Sequence, residues 1–319
     1  MALLAIEDLE LGPAKYTFGG TTIASKSGAT LSTSLADYSV EGELSGMVHR
    51  RRMHVKAEVS FTPDDQISTA IIAALYPFRT QVAGKSAFVG SGAGGVSTAA
   101  TPLVIETMDA KKFTLTDAAL VKMPDLNFAV NKGLFGSVTY RARPCYGTEP
   151  GVDADVLVKK EAGSAWTHPA FANGEFISGT PILAWNGTDI AGEADDGWTV
   201  QFNMKTQDVM AGGRLRDIRF MGYEVLVKGT PTDVTPDALI TAAELNTDVL
   251  ASGESTRTIA KALSLTMGTT PSLLTLSIPL AAPVSAGFRF GATTIRNGEI
   301  GFVSVRNFTG PVVFTLAVS

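Results

Sequence analysis

A single cysteine, Cys145, in a chain of 319 residues excludes an intramolecular disulfide and a four-cysteine zinc site. Histidine is almost as scarce. His49 and His54 sit on or beside one strand-like segment and His168 lies far along the chain, so no metal-binding trio is expected. Charged residues are only 18% of the chain and the net charge is −5, which argues against a bulk electrostatic grip on nucleic acid. No apolar run reaches the length of about 18 residues that a membrane span needs. The opening MALLAIEDLELGPAKY has no basic start, and Glu7, Asp8 and Glu10 interrupt it, so it reads poorly as a signal peptide. HExxH, GxSxG and CxxC are all missing, and the acidic pairs Asp64/Asp65 and Asp195/Asp196 fit a helix cap or turn and a solvated loop better than a catalytic dyad. No enzyme and no cofactor is expected.

What the chain has is apolar and β-forming. Apolar residues make up 45%, enough for sizeable cores and for two domains of ordinary size. Segments 53–61, 102–107, 112–115, 134–140, 198–204 and 215–228 are rich in β-branched and aromatic residues and bounded by Gly, Asp, Asn and Pro. In 53–61, Met53, Val55, Ala57, Val59 and Phe61 alternate with polar residues, the period of a strand with one wet face. Helical signals are few. Residues 65–75 follow Thr62-Pro63 with Asp64 or Asp65 as cap, and 236–245 follow Thr235 with Pro236 at the first helical position.

The chain also resembles itself. TPDDQISTAIIAAL (62–75) and TPTDVTPDALITAA (230–243) align without a gap, 168 residues apart, with six of fourteen positions identical. Backwards at that spacing Val59 meets Val227 and Met53 meets Met221. GLFGSVTYR (133–141) and GEIGFVSVR (298–306) align 165 residues apart. Gly20-Thr21-Thr22-Ile23 resembles Gly179-Thr180-Pro181-Ile182, and Tyr38-Ser39-Val40-Glu41 resembles Trp198-Thr199-Val200-Gln201. Ordered recurrence of this kind predicts a tandem duplication, with Pro63, Pro231, Gly133, Gly136, Gly298 and Gly301 as repeat-defining positions. The units are 1–150 and 166–319, joined by a linker at 151–165. The alternative is one domain over 1–240 followed by a C-terminal decoration domain over 241–319. On the matched positions the second long hairpin has the longer loop, near Gly212-Gly213.

Two local features invite function. GSGAGGVSTAATP (90–102) looks like a phosphate cradle, but it lacks the P-loop lysine and reads as a surface loop. Arg50, Arg51 and Arg52 in HRRRMH could touch phosphates; in an acidic chain they fit better at a charged hairpin end that pairs with carboxylates of a neighbouring subunit.

The order of features resembles the tail tube proteins of phages with long, non-contractile tails. GPAKYTFGGTTI (12–23), a long hairpin ending in KAEVSFTPDDQ (56–66), the helix ISTAIIAALYP (67–77), KKFTLTDAALVKMPDL (111–126) and NKGLFGSVTYRA (131–142) carry the likeness. The resemblance implies a mainly β fold: two tandem sandwich or barrel domains, each with a long hairpin and one flanking helix. It implies stacked rings whose hairpins line a conduit for double-stranded DNA, in a virion assembled in the host cytoplasm. With the domain duplicated, the ring closes as a homotrimer with pseudo-sixfold symmetry. Partners implied are further copies of the chain, tape measure protein and DNA in the lumen, and tail terminator and distal tail proteins. Hairpin, lumen or inter-ring candidates are Glu41, Glu43, Arg50, Arg51, Arg52, Gln207, Asp208, Arg214 and Arg216.

Two other readings stand beside this one. A distal tail or baseplate ring protein of the same fold would form one ring without polymerising. A secreted β-rich carbohydrate-binding protein or hydrolase would use Trp166, Trp185 and Trp198 as stacking platforms, although Trp185 and Trp198 fit the core of the second unit better.

Overall fold

The computed structural model describes residues 9–11, 13–26, 28–42, 46–77, 101–142, 158–168, 177, 179–191, 194, 196–211, 214–232, 260–269, 272–290, 295–305 and 314–319, with the backbone alone at 9–11, 35–42, 46–55, 190–191, 210–211, 214, 216, 285–290 and 295–297. The fold is mainly β, built from antiparallel sheets, with one short α-helix among the described residues.

The first half contains β1 (Leu9–Leu11), β2 (Ala14–Phe18), β3 (Thr21–Ala24), β4 (Ala29–Gly42), β5 (Gly46–Phe61), α1 (Thr69–Leu75), β6 (Leu103–Thr107), β7 (Lys111–Leu115), β8 (Ala118–Lys122), β9 (Leu126–Phe128), β10 (Val138–Ala142) and β11 (Val158–Ala162). One sheet runs β1-β4-β5-β10-β8 and a second runs β11-β7-β6-β2-β3. Alternation along β2, β6 and β10 aims every second side chain inward. Tyr16 of the second sheet stacks on Phe61 of the first at 3.6 Å, and Phe18 tilts against Tyr140 at 4.8 Å. Helix α1 starts at Ser68, whose hydroxyl accepts the Ile71 N–H at 3.2 Å, and it buries Ile71, Ile72 and Leu75. Ser68 is thus the cap, where the sequence suggested Asp64 or Asp65. Asp64 is instead buried and accepts the Gln66 N–H.

The second half contains β12 (Ile182–Trp185), β13 (Thr188–Ala191), β14 (Trp198–Ala211), β15 (Arg214–Gly229), β16 (Lys261–Met267), β17 (Leu274–Phe290), β18 (Ile295–Ser304) and β19 (Thr315–Val318). They form a sheet ordered β13-β12-β16-β17-β18-β15-β14, with β19 on β17 and β9 of the first half at the far edge.

Strand by strand, the pairing of the first half recurs in the second. The short hairpins β2–β3 and β12–β13 turn through Gly19-Gly20 and Asn186-Gly187, with φ of +56 and +82 against +54 and +79. Both residues of such a turn need positive φ, which Gly and Asn tolerate. The long hairpins β4–β5 and β14–β15 have strands of 14 and 16 residues each. Each is interrupted twice, at matching places: after Ala36 and Lys205, and after Val40 and Val209. Ser25 bridges to Pro63 just beyond the first hairpin, and Ala194 bridges to Pro231 just beyond the second. β6 matches β16, β10 matches β18, and β11 matches β19. The first half breaks β7 from β8, but β17 runs on unbroken, with β16 and β19 along its first part and β18 along its second.

Pairing also corrects three alignments read from sequence, and with them the length of one loop. Gly20-Thr21-Thr22-Ile23 matches Gly187-Thr188-Asp189-Ile190, not the segment at 179. Leu31 lies opposite Val59 as Val200 lies opposite Val227, so Trp198 matches Ala29 rather than Tyr38. The second hairpin therefore has no longer loop: 43–45 separate the first pair of strands and 212–213 the second. Val138 opposite Phe61 corresponds to Ile300 opposite Gly229, so the two glycine-rich nonapeptides belong to equivalent strands but slide by three residues. A strand pattern of period two matches itself in several registers; only the partner strand selects one.

The expected linker is also partly strand. β11 pairs with β7, and Gly163 N–H donates to the Ala110 carbonyl, so 158–163 close the first half. β16 pairs with β12 and β18 with β15, so these strands lie in the same sheet as the second hairpin. The proposed helix at 236–245, the glycine-rich run up to residue 100, and Cys145 lie outside the described residues.

Candidate assembly interface

The two halves meet through backbone. β9 leaves the first half after Pro124-Asp125 and pairs with the start of β14, with Leu126 opposite Val200 and Phe128 opposite Trp198. Asp125 seals this junction by accepting the Phe202 N–H at 3.2 Å, and it accepts the Gly136 N–H through its own carbonyl. β14 also runs alongside β8. The first half carries the same slot on β4, filled there by β1: Leu9 lies opposite Leu31 and Leu11 opposite Ala29. One register position on the hairpin is thus covered by the chain's own leading strand in one half, and by the neighbouring half in the other.

Side chains add a charged contact. Arg141 on β10 donates to Glu58 on β5 at 2.5 Å and to Asp208 on β14 at 2.8 and 3.1 Å, while Lys56 lies 3.7 Å from Asp208. All four side chains are partly screened from solvent. An aromatic cluster continues the contact. Tyr76 at the end of α1 lies 5.0 Å from Phe202, and Phe314 lies 4.9 Å from Phe202 and 5.5 Å from Tyr223. Tyr76 is fixed by donating to the Pro124 carbonyl, and burial pushes its phenol far above the ordinary tyrosine range. Lys132 pairs with Asp196 at the rim.

The candidates from sequence fall on both long hairpins. Glu41, Arg50, Arg51 and Arg52 lie on β4 and β5, and Arg214 and Arg216 on β15, with backbone alone described; Glu43 lies outside the described residues. Gln207 is exposed, whereas Asp208 is half-buried in the contact with Arg141. Pro63 and Pro231 take equivalent places at the hairpin exits. Gly133 and Gly136 precede β10, while Gly298 and Gly301 are buried in β18. Trp185 and Trp198 are buried, and Trp185 donates to the Ala281 carbonyl, so neither offers a stacking platform. Sequence reasoning missed Asp125, Arg141 as a junction residue, and Phe202. The signal for them is weak, because a junction residue looks like any other wet-face residue until its partner is known.

Among the described residues no cluster of three metal-ligating side chains occurs, and no helix is long and apolar enough to cross a membrane. Compared with models of protein families and with curated proteins, the chain matches none.

Proposed function

We propose that this chain is a structural subunit that assembles head to tail with its own copies: a tail tube protein whose tube domain is duplicated in tandem. The observation that carries this reading is the junction itself. Two halves with the same strand order are joined by β9 on β14, at the slot that β1 fills on β4. That is a heterologous contact, in which different surfaces of equivalent units meet. Repetition of such a contact closes into a ring when the rotation permits. Three chains would supply six equivalent units, and the long hairpins, with strands of 14 and 16 residues, would be covered edge to edge. The sequence order that resembles tail tube proteins and the acid balance suited to a conduit for DNA support the same reading.

Sedimentation velocity and negative-stain electron microscopy of the purified protein test it. Trimeric rings that stack into hollow tubes are the expected result. Isolated rings at all concentrations would favour a distal tail ring protein. Monomers at high concentration would sink the assembly reading altogether.

A further inference from the structure

The two halves share much of their strand pairing but differ in character at one surface. On the first half, Glu58 and Arg141 lie opposite each other on β5 and β10, and Arg141 bridges Glu58 to Asp208 of the second half. The corresponding pair on β15 and β18 is Leu226 and Val303. Lys56 likewise corresponds to Glu224, and Val121 to Val284. Val121 is half-buried with β14 running alongside β8, while Val284 is 52% exposed. Among the described residues β17 is paired on one side only beyond Ala281, by β18. The second half therefore exposes Val284, with Leu226 and Val303 half-buried beside it, at the place where Val121 of the first half meets β14. Open edges and exposed apolar clusters mark places where another chain adds.

The other side of the contact has changed in step. In β14 the residue that meets Arg141 is Asp208; the equivalent position in β4 is Ser39, since Val40 opposite His49 matches Val209 opposite Asp217. The charged set Glu58, Arg141 and Asp208 is replaced as a set by Leu226, Val303 and Ser39. An aspartate at position 39 would be desolvated against an apolar pair; serine carries no such charge. Among the described residues the second half shows no counterpart of β9, since β17 runs on to Phe290, and β4 already holds β1 in the matching slot. A second copy can therefore meet this face without lending a strand.

Resting on the self-assembly reading, we infer that the face formed by Leu226, Val303 and Val284 of one copy binds the first-half hairpin of a second copy, along β4 around Ser39. It does so in the geometry in which the Glu58–Arg141 face holds β14 within the chain.

The test transplants the internal contact. Val303→Arg and Ser39→Asp are made singly and together, and self-association is followed by sedimentation velocity with circular dichroism as a check on folding. Each single variant is expected to weaken association by about ten-fold or more, since each buries an unmatched charge in the contact. The double variant recreates the pair seen between Arg141 and Asp208 and is expected to return to within about three-fold of the parent. Recovery in the double variant cannot come from a misfolded single. Singles that associate like the parent, or a double no better than the weakened singles, would overturn the assigned surface while leaving assembly itself intact. A parent chain that stays monomeric would overturn both.

Discussion

Gly229 lies flat against the indole of Trp198: a Cβ placed on it would come within 2.5 Å of Trp198 Cε3. At the equivalent positions of the first half stand Phe61 and Ala29, one step beyond the Thr30–Ser60 pair. The large and small partners have exchanged strands, while all three side chains remain buried. Similar volume fills both places, as a close-packed core demands.

This exchange predicts strong coupling. Gly229→Ala should destabilise the chain by about 1–3 kcal/mol through overpacking, and Trp198→Ala by about 3–5 kcal/mol through the cavity left behind. The double variant Trp198→Ala with Gly229→Phe imitates the first half and should recover a large part of the second loss. Urea denaturation of the parent, Trp198→Ala, Gly229→Phe and the double variant gives the cycle. Additive losses would refute the equivalence of the two pairs.

The junction triad makes a second prediction. Arg141→Ala leaves the carboxylates of Glu58 and Asp208 facing one another and should cost about 1–3 kcal/mol. Replacing the set together (Glu58→Leu, Arg141→Val and Asp208→Ser) copies the second half's face and should be far milder than the single change. Thermal unfolding in low and high salt checks both: salt should weaken the parent's ion pairs but relieve the repulsion left in the single variant, so that the two respond in opposite senses.

A third concerns Tyr140. Its ring is buried beside Phe18 and Phe61, yet its hydroxyl has no hydrogen-bond partner among the described residues, and burial drives its phenol well above the usual range. The equivalent residue in the second half is Phe302, which lacks the hydroxyl. Tyr140→Phe should therefore leave stability unchanged or raise it by about 1 kcal/mol. A clear loss in Tm would mean that the hydroxyl has an acceptor.

Asp64 supplies a pH dependence. Burial raises its carboxyl above the ordinary aspartate range, while the Gln66 N–H and His168, 3.2 Å away, pull it partly back. A carboxyl that holds its proton more tightly when folded releases it on unfolding. Its contribution to stability therefore falls as pH rises from the ordinary carboxylate pKa through the raised folded value, and the cost is complete above that. Asp64→Asn keeps an acceptor for Gln66 and removes the charge. Its stability should decline less than the parent's across this window, as measured by denaturant melts at a series of pH values.

Much of this was legible in the residues. Alternation in 53–61 marked a half-buried strand, and Thr-Pro at 62–63 and 230–231 marked hairpin exits that bridge alike. Met53 and Met221, matched from sequence, fall at the same interruption of their hairpins. The matches that slid were those made on alternating strands or isolated glycines. The turn Asn186-Gly187 shares with Gly19-Gly20 a backbone conformation rather than a composition, so residue identity alone does not pair them.

By itself the sequence determined local matters: that 53–61 belong to a strand with one wet face, and that Thr-Pro follows each long hairpin. These follow from side-chain period and from turn residues, whose physics acts over a few positions. Tertiary structure alone decided the register of each strand, the continuity of β17 across two sheet positions, the strand within 158–162, and the meeting of Arg141 with Asp208. Those depend on which distant surface is available to bury an apolar face or pair a charge. A period-two pattern carries no record of its partner until the partner arrives.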